Sequence, residues 1–245
     1  MAAVSAYGPA SGSDAMAHSP KSLVQTAIDD VTGYMRDSNL RVGDTLPGEG
    51  FFAERLGVSR AVMREAFQAL AALKLIDVAN GRKPRVGALD GSVIAASLDH
   101  AISTAQIKVV DVWDVRRTIE VRTAMLAATN ASPAQAKKIV DLAERLEAED
   151  DADEQTTETD IAFHVAIAEA SGNELFHQIV ISFVPLMKVS IPQAWRTRQT
   201  ADQRRTSVDR HRKLAEAIAR RDVDDARKWM AEHFDESVGV MLGSS

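Results

Sequence analysis

Along the first ninety positions apolar residues recur at helical spacing and then alternate briefly. Beyond that they return to helical spacing for the rest of the chain. In SLVQTAIDDVTGYMRDS, Leu23, Ile28, Val31 and Met35 share one side of a helix. NLRVGDTLPGEG, with its glycines and proline, breaks that pattern. FFAERLG then reads as a short second helix closed by Gly57. Ser59 is a good N-cap, and a third helix is predicted from about Arg60 to Lys74. Positions four apart share a helix face, so Arg60, Arg64 and Gln68 line one side. Val62, Ala66, Ala69, Leu70 and Leu73 line the other. LIDVANGRKPRVGAL has strand-like ends around Asn80-Gly81, the turn of a hairpin. Helix, helix, a tight turn through LGVS, helix and hairpin is the order of a winged helix-turn-helix, expected over 20–88.

After about residue 90 the helical pattern dominates. Helices are expected near 92–103, 108–130, 132–149, 154–172, 174–194, 201–220 and 222–240. The predicted fold is therefore mainly α: the winged helix-turn-helix, a linker with a first helix over 89–109, and an all-α bundle over 110–240. EAEDDADEQ (147–155) reads as an acidic connection, and the Ala, Gly and Ser of residues 1–19 as a mobile tail.

Composition agrees with helices: 45% of residues are hydrophobic but only 5% aromatic. The absence of cysteine excludes disulfides and thiolate metal sites and fits a reducing cytoplasm. No apolar run approaches the roughly 18–20 residues that span a bilayer, so no membrane partner is expected. The first residues lack the basic-then-apolar order of a secretory signal. A net charge of −6 argues at first against nucleic acid. Its distribution changes that picture. Residues 20–87 carry ten Lys and Arg against eight Asp and Glu, a net of +2, and residues 88–245 hold −7. A basic front and an acidic back suit two domains with different partners.

In a helix-turn-helix the second helix lies in the major groove, with its N-terminal residues at the base edges. Arg60 and Arg64 occupy those turns, and an arginine fork can bond guanine O6 and N7 together. The helix start capped by Ser59 favours a phosphate. Arg82, Lys83 and Arg85 in the wing suit phosphate or the minor groove. A solvated basic face is the ordinary reading of an Arg pair alone. The capped helix, tight turn and basic wing together favour a double-stranded DNA operator as partner.

The back domain carries candidate metal ligands. Asp160 and His164 stand at i and i+4 in TDIAFHVAIAEASGN. His211 and His233 lie 22 residues apart, on either side of a break expected at Arg221-Asp222, so an antiparallel hairpin brings them level. Three imidazoles and one carboxylate suit Zn, Ni, Mn or Fe(II) rather than Ca. A packed or surface histidine is the plain alternative for each. His18, His100 and His177 are read as structural or surface residues.

Two resemblances add to this reading. LPGEGFFAERLGVSRAVMREAFQALAALKLIDVANGRKPRV resembles the winged helix-turn-helix of the GntR family of bacterial transcription regulators. That implies DNA contacts by Ser59, Arg60, Arg64 and the wing Gly81, with Arg82 and Lys83 beside them. Gly50 and Ala61 stand where the family often has Arg and Thr, which implies an operator unlike the common one or weaker binding. VRRTIE (115–120), DIAFHVAIAEASGN (160–173) and HRKLAEAIARRDVDDARKWMAEH (211–233) resemble the ligand-sensing FCD domain of the FadR-like branch. That implies a divalent metal on Asp160, His164, His211 and His233, which helps hold a small carboxylate effector. Arg116 matches the helix arginine that faces the pocket and pairs with the carboxylate through two hydrogen bonds. Asn173 belongs to the motif, and a plain helix-cap role for it is equally open.

The resulting expectation is a homodimeric, effector-responsive transcription regulator, a repressor relieved by its effector. Two other readings stand beside it. One is a metal-dependent enzyme acting on a small carboxylate, with Glu169 as a weak general base. The other is a constitutive DNA-binding protein whose histidines are only structural.

Overall fold

Ser22 accepts a hydrogen bond from the Gln25 amide and so starts the first helix, α1 (Leu23–Asp37). A computed structural model describes residues 21–79, 81–148, 154–197 and 200–242. The expected mobile tail, His18, Asn80 and most of the acidic connection lie outside the described residues. α2 (Glu49–Leu56) ends at Gly57, whose φ of 65° is left-handed and lets its N–H bond back to the helix carbonyls. Ser59 then caps α3 (Arg60–Ala72), accepting from the Val62 amide at 3.3 Å. Phe52 and Phe67 sit at the centre, with Tyr34 edge-on to Phe52. The buried stripe of α3 is Met63, Ala66, Phe67 and Leu70. Leu73, expected on that face, is half exposed because the helix has already ended and Leu73 is its C-cap.

The wing is short. β1 (Ile76–Asp77) pairs antiparallel with β2 (Arg85–Val86), Ile76 opposite Val86. The segment before α2 runs along the other edge of β2: the Val86 amide donates to Asp44 and the Leu46 amide to Pro84. Arg85 is exposed, and it also makes a contact within the unit. Its guanidinium donates to the Gly43 carbonyl at 2.8 Å and ties the wing to this segment.

The chain divides into two compact units between Ala88 and Leu89. The second is all helix among its described residues: α4 (Gly91–Ser103), α5 (Val109–Asn130), α6 (Pro133–Ala148), α7 (Glu154–Ala170), α8 (Glu174–Ser182), α9 (Val184–Thr197), α10 (Ala201–Ala219) and α11 (Val223–Leu242). α4 packs on α8, where the Gly91 amide donates to Gln178 at 2.8 Å. A Cβ on Gly91 would stand 2.4 Å from the Gln178 carbonyl oxygen, so only glycine allows this approach. α5 lies against α7 and α11, and α6 against α7 and α10. Ala124, Ala127, Ile139, Phe163, Leu214 and Phe234 fill the space between them.

One expected helix is two. The run 174–194 breaks at Phe183, and its halves bend by 59°. Pro185 has no N–H to give the carbonyl four residues back, which favours a bend here, although α9 itself continues through Pro192. The hairpin of α10 and α11 turns where expected. Arg221 takes a φ of 60°, and its guanidinium donates to the Thr129 and Ala131 carbonyls at the end of α5. No single described helix is long and apolar enough to cross a membrane.

Candidate functional site

The first candidate surface is the outer face of α3. Arg60, Arg64 and Gln68 are all exposed there, on the side away from Phe67 and Leu70. Arg64 has only a loose, exposed ion pair with Glu49 at 3.7 Å, which leaves its fork available. In the wing, Gly81 takes a φ of 74°, and Gly81, Arg82 and Lys83 are exposed. Ser59 spends its hydroxyl on the helix cap.

The second lies inside the α-domain. Helical spacing places Asp160 and His164 one turn apart on α7, and the α10–α11 hairpin brings His211 and His233 to the same level. All four are buried. The His211 and His233 rings are 4.6 Å apart, and His164 and His233 are 5.0 Å apart. Asp160 Oδ1 lies 3.3 Å from Nε2 of both His164 and His211. One ring nitrogen from each histidine falls within 4.8 Å of the others, a spacing that could hold one metal ion. Three neutral imidazoles and a carboxylate converging in a buried space fit a divalent transition metal.

A residue that sequence reading missed completes the cluster. Glu120 on α5 is 1% exposed. Its Oε1 accepts from Arg116 Nε at 2.8 Å. Its Oε2 lies 2.5 Å from His164 Nδ1, an ion-pair distance but out of line for a hydrogen bond. The quoted segment VRRTIE contained the signal: Arg116 and Glu120 are four apart, on the stripe that carries Trp113 and Thr123. Arg116 itself is 1% exposed and lies over the rings of Trp113 and Phe234. Its Nη1 has no hydrogen-bond partner.

The charges in this cluster set one another. Burial alone would push the Asp160 carboxyl up, but hydrogen bonds from His164 and His211 hold it well below the usual range. Burial likewise works against the charged Glu120, and the charges of Arg116 and His164 overcome it and lower its pKa. Burial would lower His164, yet Glu120 and Asp160 raise it to about 9. In the metal-free protein a proton on His164 thus balances the two carboxylates.

A narrow cleft, with room for little more than a water, opens onto the cluster, walled by Trp113, Arg116, Asp160, His164, Ile191, Ala194, Trp195 and His233. Asn173 is not among them. It is exposed, and its Oδ1 caps α8 by accepting from the Leu175 and Phe176 amides. Glu169 is also elsewhere, paired with Lys138 at the surface. His100 is exposed, and His177 sits beside Glu174 on α8. A larger groove of about 150 Å³ lies between α4, α5 and the α8–α9 bend, lined by Leu98, Ile102, Val112, Phe183 and Leu186, with Asp99 as its acidic group. It offers a carboxylate no cation.

A winged helix-turn-helix followed by a helical domain with a buried histidine cluster is the architecture of a transcription regulator. Comparison with known proteins agrees. Residues 23–86 match the model of the bacterial regulatory proteins of the gntR family, and residues 111–236 match the FCD domain. The chain belongs to the GntR family of transcription regulators, with an FCD ligand-binding domain, and is not an enzyme. It is 28% identical over 217 residues to the Glc operon transcriptional activator of Escherichia coli K12, covering 86% of this chain and 85% of that one. It is 26% identical over 192 residues to the galactonate operon transcriptional repressor of the same organism, covering 76% and 82%. Among solved structures, a GntR protein of Streptococcus agalactiae superposes with a TM-score of 0.61 at 23% identity, over 88% of this chain and 99% of that one.

Proposed function

We propose that this protein is a cytoplasmic, homodimeric repressor that releases its operator when a small carboxylate binds beside a divalent metal in the α-domain. The observation that carries this reading is the buried convergence of Asp160, His164, His211 and His233, three of which, Asp160, His164 and His233, wall a cleft that also holds Arg116. The four side chains would hold Zn, Ni, Mn or Fe(II), and the metal would supply a positive centre for the carboxylate. Arg116 faces the same cleft with Nη1 free to donate, although Glu120 already occupies Nε. The remaining walls are Trp113, Ile191, Ala194 and Trp195. Such walls favour a compact acid over a long polyhydroxylated one, whose hydroxyls would be buried against apolar surface.

At the other end, Arg60 and Arg64 read bases in the major groove, and Ser59, Gly81, Arg82 and Lys83 hold the backbone. Gly50 and Ala61 offer no side-chain hydrogen bond at positions where one would add to the contact. One winged unit per half-site makes a near-palindromic operator and a dimer the natural pair. The relatives' names include both an activator and a repressor, so the sign is a separate matter. For a repressor, effector and operator must then weaken each other reciprocally.

The test is a thermal-shift screen of metal-loaded protein against small carboxylates, followed by operator binding with each hit. A ligand that binds only the native state raises the melting temperature. Stabilisation that vanishes in His211→Ala, together with weakened operator binding in wild type, supports the proposal. No stabilisation across the panel, with metal confirmed present, would make the metal structural.

A further inference from the structure

We propose that Glu120 is the positioning residue of the histidine cluster. Its carboxylate bridges Arg116 and His164 and holds the His164 ring with Nε2 toward Asp160, so the cage for a divalent cation is set in advance. This rests on the proposed metal-assisted effector site.

Two of the buried rings each have an oxygen beside both nitrogens. His211 has Nδ1 3.0 Å from the Ser207 carbonyl and Nε2 3.3 Å from Asp160. His164 has Nδ1 2.5 Å from Glu120 and Nε2 3.3 Å from the same Asp160 oxygen. A metal-bound histidine commonly gives its other N–H to a carbonyl or carboxylate, which fixes both tautomer and ring orientation. Ser207 does this from within α10, one turn before His211. Glu120 sets its carboxylate against Nδ1 of His164 at ion-pair distance, from α5, a helix that carries none of the four candidate ligands. It therefore ties the α7 ligands to a fourth helix. The anchor keeps its own charge because Arg116, one turn back, donates to its other oxygen. A buried carboxylate without such a partner would be costly.

Glu120→Gln tests this with little change in shape. Both neighbours of residue 120, Arg116 Nε–H and His164 Nδ1–H, are donors, and an amide has one oxygen to offer where a carboxylate has two. Full-length wild type, Glu120→Gln and Glu120→Asp are stripped of metal, and Zn²⁺ affinity is read by competition with a chromophoric chelator. Glu120→Gln is expected to bind Zn²⁺ roughly 10- to 100-fold more weakly, with Glu120→Asp recovering part of the loss. A folded Glu120→Gln with wild-type Zn²⁺ affinity overturns the proposal, even if it melts lower. If Glu120→Gln does not fold, ¹⁵N histidine spectra of the Zn²⁺-loaded wild type decide. His164 protonated at Nδ1 and metal-bound at Nε2 supports it, and metal on Nδ1 overturns it. Wild type that folds but takes up no Zn²⁺ removes the metal-assisted site itself, and Glu120's role with it.

Discussion

Arg60 and Arg116 are both helix arginines with a polar residue four positions on, and their surroundings are opposite. Arg60 stands at the exposed start of α3, with Arg64 one turn along the same open face. Arg116 is enclosed, its Nε committed to Glu120 and its plane against Trp113 and Phe234. The first arrangement holds charges in water until a polyanion arrives. The second holds them in the interior, where each is tolerable only because the next one is present. A surface site can therefore change its specificity with little effect on folding. A buried site of this kind makes recognition and stability one problem.

That contrast can be tested most severely at Arg116. Arg116→Ala should destabilise the metal-free protein by about 3–5 kcal/mol, because Glu120 is left as a buried, half-paired charge. Urea unfolding of the full chain reads this. A loss under about 1 kcal/mol would mean that the interior pair is no more costly to break than a surface one.

A second, smaller effect should come from pH. The folded pKa of His164 is raised to about 9, above its unfolded value of 6.5. Its contribution is thus fully present below about pH 6.5 and is lost as pH climbs toward 9. Metal-free protein should lose several degrees of melting temperature across that window, and His164→Gln should flatten the dependence. A wild-type profile that is flat from pH 6.5 to 9 would break the account of His164 as the balancing charge.

The smallest effect on folding belongs to α3. Arg60→Ala should leave the melting temperature within the ±0.5 kcal/mol equivalent usual for surface changes. It should cost about 1–3 kcal/mol of specific operator binding. Anisotropy titrations on operator and scrambled DNA separate the cases. An equal loss on both sequences would turn Arg60 into a phosphate contact.

The same contrast explains what could be read in the sequence. The winged unit was legible because its cues are local: Gly57 closes α2, Ser59 opens α3, and the LGVS turn lies between them. Asp160 with His164, and His211 with His233, were legible because one turn of helix and one hairpin fix their relations by counting. Glu120 escaped because its role depends on α5 packing against α7, which no spacing within α5 reveals. The break at Phe183 escaped for a different reason. Pro185 was in plain view, but apolar periodicity ran through it, and a proline that bends the chain at 185 while α9 continues through Pro192 is not told apart by spacing alone. Leu73 was placed on the buried face by periodicity continued past the point where the helix ends.

Gly91 carries a consequence for anyone who would rewire this protein. It begins α4 three residues beyond the end of the winged unit, and its bare backbone lies where a methyl group would strike Gln178. Chimeras that graft a foreign DNA-reading head onto this sensor should therefore be joined upstream, between Ala88 and Asp90. A seam that replaces Gly91 would lift α4 from α8 and hand the new head a loosened tether, so the hybrid would bind its ligand and still fail to transmit it.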